Sequence, residues 1–97
     1  MNIAHITGYL VDDIELRAFE KTNVSNFRLA VKEGKDTLFM PVQAWNQEHL
    51  KNFLSKGSRA LVTGSLKQEQ WETKKGEKRS RVILNARHVE FLDPKEK

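Results

Sequence analysis

A single short helical pattern, set between the third and fourth of five extended runs, constrains this chain more than any other feature. Around Gln47 to Ser55, the apolar residues Leu50, Phe53 and Leu54 fall at i, i+3 and i+4 and form one narrow face. Asn46 stands where an N-cap is wanted, with Gln47 and Glu48 in the first turn. Lys56 and Gly57 supply a cation and a residue able to take φ > 0 at the other end. The remaining apolar patterning reads as strand: Ile3 to Val11 with Gly8 inside it, Val24 to Val31, Leu38 to Trp45, Ser58 to Glu72 with Gly64 as an interior bend, and Arg79 to Leu92. Asp12 to Asn23 is polar and reads as a connection with room for a helical turn. Gly34-Lys35-Asp36 reads as a turn, Thr73 to Lys78 as a loop centred on Gly76, and Pro41 as the mark of an edge or a bulge. Three strands, a helix and then a long two-stranded hairpin is the order of an all-β OB-fold. That fold is a five-stranded Greek-key barrel with one short helix between strands 3 and 4. An SH3-like barrel has no natural place for the helix.

At 97 residues the chain is one domain, residues 1–97, with a core expected over about 2–93 and a frayed end at 94–97. A hydrophobic fraction of 38% beside 31% charged residues fits a soluble, folded chain. The absence of cysteine excludes a disulfide framework and a thiolate metal site, and is compatible with a reducing cytosol. The opening MNIAHITGYLVDD has no basic segment followed by an apolar run, so it does not read as a signal peptide. No apolar run approaches the roughly twenty residues of a membrane-spanning helix. A cytoplasmic protein with no membrane partner is expected.

The net charge of +4 is not evenly spread. Lys56 to Arg81 holds eight Lys/Arg against three Glu, whereas residues 1–55 carry six against seven and 82–97 three of each. Trp71 lies inside that basic segment. Clustered cations hold phosphates with release of counterions, and a flat ring stacks on bases, so single-stranded nucleic acid is the ligand such a segment fits.

Four motifs in order resemble the bacterial single-stranded DNA-binding protein (SSB) family, covering the chain from about Asn2 to Pro94. They are Ile6-Thr-Gly-Tyr-Leu-Val-Asp-Asp-Ile-Glu-Leu-Arg17, Asn26-Phe-Arg-Leu-Ala-Val31, Phe53-Leu-Ser-Lys-Gly-Ser58 with Val62-Thr-Gly-Ser-Leu66, and His88-Val-Glu-Phe-Leu-Asp-Pro94. Asp13-Ile14 stands where Asp-Pro is usual in that family. The resemblance implies an OB-fold that binds single-stranded DNA with little sequence preference and works as a homodimer or homotetramer. It places Phe39 and Trp45 at base-contacting positions of the third strand, Trp71 at a stacking position, and Lys56 and Lys67 near the DNA path. The loop Lys32 to Asp36 is short, so one of the family's usual stacking Trp residues has no counterpart. Glu69 and Gln70 stand where basic residues are common. The sequence stops at Lys97, without the acidic tail that recruits replication and repair partners in that family. A short, tail-less member is expected, encoded by a phage or plasmid or associated with a bacterial nucleoid, or else a relative of the primosomal replication protein N.

Each candidate has a plainer reading. Trp71 has Lys67 and Glu69 on its own strand face, which argues for partial exposure and a binding or oligomer contact rather than a dry core. Phe39 and Trp45, six residues apart, share a face of an ideal strand; that face is either the binding surface or the barrel interior, and a bulge at Pro41 would break the register between them. Lys74, Lys75, Lys78, Arg79 and Arg81 could be a solvated hairpin tip, but their sign bias over Glu72 and Glu77 favours phosphate contact. The first strand, with Asn2, Ile3, His5 and Thr7, is the edge at which a second copy is expected to pair. His5, His49 and His88 have no ligand spacing, and no residues form a catalytic set or a phosphate loop. No metal, cofactor or enzymatic activity is expected. The competing reading is a primosome or replisome adaptor that acts mainly through protein contacts.

Overall fold

The computed structural model describes residues 1–92. The frayed end expected at 94–97 lies outside the described residues. The elements are β1 (Ala4–Leu10), β2 (Glu15–Ala18), β3 (Asn23–Glu33), β4 (Asp36–Trp45), α1 (Leu50–Phe53), β5 (Arg59–Glu72) and β6 (Lys78–Phe91). The sheet order β1-β5-β6-β4-β3-β2 is closed by a β1–β3 pairing at Tyr9↔Ala30 and Leu10↔Leu29. The ring is thus the five-stranded OB barrel, with the helix between its third and fourth members. β4 and β6 meet in the single parallel pairing among the described residues, Val42↔Leu84 to Ala44↔Ala86.

The core follows from strand alternation. Phe27 and Leu29 on β3, Val42 and Ala44 on β4, Ala60 and Val62 on β5, and Leu84 on β6 all point inward and are buried. Leu50 of the helix and Leu54 just after it are buried in the same core cluster. Each such aliphatic side chain stabilises the fold by about 1.5–3 kcal/mol through burial.

Four local expectations change. The polar stretch Asp12 to Asn23 is not merely a connection: Glu15 to Ala18 pairs with Asn26 to Asn23 as a sixth, short strand on the outer edge of β3. Its side chains are mostly exposed, so it carries no apolar alternation that would mark it in the sequence. The helix is four residues long, not nine, and its N-cap is His49, with no side-chain cap. Asn46 is instead the exit of β4, at φ 56, with its amide donating to the Asn23 carbonyl and its Oδ1 accepting from the Asn23 amide. Gln47 donates to the Ala86 carbonyl rather than opening the helix. Phe53 leaves the apolar face and stacks on Phe91 at the surface, ring centroids 5.3 Å apart. Finally, Pro41 makes no bulge against β3, whose ladder with β4 runs unbroken from Val24↔Trp45 to Glu33↔Asp36. It sits one residue before the parallel pairing with β6 begins, so its missing N–H costs no bond on that side. The bulge falls elsewhere: Thr63 pairs with His88 and Gly64 with Ala86, leaving Arg87 as the extra residue of β6.

Candidate nucleic-acid interface

The unbroken β3–β4 register decides the face of Phe39 and Trp45. Met40, Val42 and Ala44 turn inward, so Phe39, Pro41, Gln43 and Trp45 line the outside of the barrel. Phe39 and Trp45 are 54% and 44% exposed, which removes the barrel-interior reading. Residues opposite them on β3 and β2 share this outer face: Arg28 faces Pro41, Asn26 faces Gln43, and Glu15 faces Asn26. Between them runs an open groove of about 580 Å³, lined by Asp12, Asp13, Glu15, Arg17, Asn26, Arg28, Pro41, Gln43 and Arg81.

Arg81 joins this groove to the β5–β6 ribbon. From Leu66 to Glu72 and from Lys78 to Val82 nearly every side chain is exposed, so the two strands leave the barrel as a ribbon wet on both faces. Trp71, 47% exposed, lies directly across from Arg79, and Glu69 lies across from Arg81. A shallow pocket beside Trp71 is lined by Gln70, Glu72, Lys78, Arg79 and Ser80, and another by Glu69, Gln70 and Arg81. The tip is tied by Thr73, whose amide donates to the Glu77 carbonyl and whose Oγ1 accepts from the Glu77 amide, with Gly76 at φ 82. Lys74 and Lys75 stand exposed on that turn.

The cations fall into two kinds. Arg28 makes a two-pronged contact with Asp12 at 2.8 and 3.2 Å, Arg81 bonds Glu69 at 2.8 Å, Arg79 bonds Glu77 at 2.7 Å and Arg17 bonds Glu15 at 2.7 Å. The Arg28 hydrogen bond holds the Asp12 carboxyl below its usual value against some desolvation, with Lys56 adding a weaker pull, and Asp12 raises Arg28 in return. Lys67, Lys74, Lys75 and Lys78 make no ion pair among the described residues. The groove itself is therefore balanced, three carboxylates against three guanidiniums, whereas the ribbon carries four lysines without an ion pair among the described residues.

Lys56 sits beyond the helix, its amide donating to Asp13 Oδ1 at 2.8 Å. Asp12 and Asp13, at the start of the polar stretch after β1, thus each hold a partner. Sequence reasoning also passed over Phe19, which stacks on Trp45 with centroids 6.2 Å apart and rings inclined by 25°. Only the hidden strand β2 would have placed it on the same face as Glu15 and Arg17.

At the other edge, β1 pairs with β5 from Ala4 to Tyr9 but meets β3 only at Tyr9 and Leu10. Asn2 clasps the Leu66 backbone from both its side-chain atoms, Ile3 is exposed, and His5 Nδ1 lies 3.0 Å from Thr63 Oγ1. Thr7, opposite Leu61, faces solvent. His5 and His88 both flank Thr63, yet among the described residues no group of three or more His, Cys, Asp or Glu could hold a metal ion. No helix among the described residues is long and apolar enough to cross a membrane.

The profile of the Single-strand binding protein family matches residues 1–92. The chain belongs to that family. Among relatives, it is 40% identical over 98 residues to the single-stranded DNA-binding protein of Corynebacterium glutamicum, an alignment covering 87% of this chain and 44% of that protein. It is 34% identical over 105 residues to single-stranded DNA-binding protein 2 of Staphylococcus aureus, covering 98% and 74%. It is 31% identical over 104 residues to single-stranded DNA-binding protein 1 of Synechocystis, covering 98% and 86%. The chain thus spans less than half the length of the Corynebacterium relative. The Single-strand binding protein family is non-enzymatic, in accord with a sequence that carries no catalytic set.

Proposed function

We propose that this chain binds single-stranded DNA with little sequence preference, protecting or organising it during replication, recombination or repair. The observation that carries this is the outer face of β2, β3 and β4. It sets exposed aromatic rings at both ends of a groove lined by guanidiniums and carboxylates, which continues through Arg81 onto a lysine-rich ribbon. Rings stack on any base and cations hold any phosphate, so recognition of this kind is tolerant of sequence. In this reading Phe39, Trp45 and Trp71 take bases. Lys67, Lys74, Lys75, Lys78, Arg79 and Arg81 take phosphates, with Lys56 at the margin of the path. The names of the relatives support the same ligand.

Trp71 gives the sharpest test. Trp71→Ala should weaken oligo-dT binding by about 1–3 kcal/mol while leaving the unfolding midpoint unchanged, because the ring is not core. Trp71→Phe should restore much of the loss, since a π-face remains, and oligo-dT should quench tryptophan emission in the parent. Equal affinity of the parent for duplex and single strand would favour the protein-adaptor reading.

The same proposal includes a homo-oligomer built on the open edge of β1. His5 and Thr7 lie on β1, and Asn2 and Ile3 just before it, along an edge whose second side is unpaired for most of its length. Such edges are normally covered, and a second copy of the same edge gives a closed two-fold pair. Sedimentation at micromolar concentration should report at least twice the 11.3 kDa chain mass; a clean monomer would remove this part.

A further inference from the structure

We propose that Phe19, at the end of β2, is a base-stacking residue: with Trp45 it forms a two-ring platform for a nucleobase. The inference rests on the single-strand reading above and adds a subsite to it.

The turn that closes the β2–β3 hairpin is held by the Phe19 amide donating to the Thr22 carbonyl. Alternation along β2 puts Glu15, Arg17 and Phe19 on one face. Register carries that face across Val24 to Trp45, because Arg17 and Trp45 are both paired with Val24. The two rings then meet at 6.2 Å and 25°, within the range of offset aromatic stacking.

Mutual shielding alone explains the pair poorly. Phe19 keeps 56% of its surface exposed and Trp45 44%, so stacking on each other leaves much of each ring wet. A pair meant only to cover Val24, which is 4% exposed, needs neither the area nor the flatness of two aromatics. Flat, near-parallel rings that keep this much exposed surface are suited to a flat apolar ligand that adds to the stack. The neighbouring chemistry says which one. Arg17 lies one strand position along the same face and lines the groove with Arg28. A flat base joined to a sugar whose hydroxyl oxygen carries a phosphate matches a ring platform beside a guanidinium. That combination is a nucleotide of the strand lying in the groove.

The test uses the full chain and fluorescently labelled oligo-dT followed by anisotropy. Phe19→Ala and Phe19→Leu should each weaken binding about tenfold, with the salt slope unchanged because no charge is altered. Phe19→Tyr should stay within about twofold of the parent, because it keeps the π-face. Phe19→Leu keeps apolar bulk over Val24, so it separates stacking from packing should Phe19→Ala fold poorly. An oligonucleotide carrying 5-iodouracil should form photo-adducts on Phe19 or Trp45, located by mass spectrometry. If the parent binds oligo-dT but Phe19→Leu binds equally well and no adduct falls on either ring, the platform is wrong and the general reading stands. If the parent does not bind oligo-dT at all, the general reading fails and this one with it.

Discussion

Gly64→Ala destabilises the protein by roughly 3 kcal/mol or more, measured by chemical denaturation. A Cβ built at Gly64 would lie 2.0 Å from the Asn85 carbonyl oxygen, 2.8 Å from its carbon and 3.0 Å from Ala86 Cα. All three are backbone atoms of β6, so no side chain can swing aside and the strand itself must move. It must move where β5 passes the bulge that leaves Arg87 unpaired, next to Leu84 and Ala86 of the core. Gly34→Ala is the control. No atom lies within 4 Å of its added Cβ, and only the positive φ of 61° is strained, a cost of about 1 kcal/mol. Equal losses at the two sites would show that β6 yields easily and that close approach at Gly64 is not what the barrel depends on.

Affinity for oligo-dT falls roughly a hundredfold between 50 and 200 mM salt, a log–log slope of about −3 to −4 for four to six phosphate contacts on a single strand. The structure indicates which cations set that slope. A phosphate that reaches Arg28, Arg79 or Arg81 meets a guanidinium already neutralised by Asp12, Glu77 or Glu69, or displaces that carboxylate, which then gathers its own cation from solution. Net ion release from those contacts is small. Lys67, Lys74, Lys75 and Lys78 hold no such partner among the described residues, so they carry most of the salt dependence. Lys75→Glu should flatten the slope by at least about 0.7. A parent protein whose binding ignores salt would overturn the phosphate contacts altogether.

The barrel was legible because its strands carry strong alternation and because the helix sits where only one small barrel accepts it. Gly57 at φ 92 and Gly76 at φ 82 turn where the sequence places them. The helix boundaries misled for a physical reason: Asn46 and Gln47 have the chemistry of a helix start, but both are drawn into bonds with strands that only the folded chain brings near. β2 was invisible because a short strand exposed on its outer edge has no apolar period. Phe19 went unnoticed with it, since its face is defined only once Glu15 to Ala18 is paired. Residue types alone could not show that Arg79 and Arg81 are held by carboxylates while Lys67, Lys74, Lys75 and Lys78 make no ion pair among the described residues.

The β5–β6 ribbon gives the protein two mechanical regimes. The barrel is closed around a buried core, whereas the ribbon beyond Leu66 is held only by its own rungs, with both faces in water, the condition under which a lone hairpin is barely stable. A DNA strand lying along the groove and over Trp71 would be fastened to a stiff body at one end and a pliant finger at the other. The finger can follow the curvature of whatever strand arrives, and what it loses in freedom on doing so is subtracted from the affinity. Loose grip at the tip and firm grip at the barrel would then be properties of one continuous sheet.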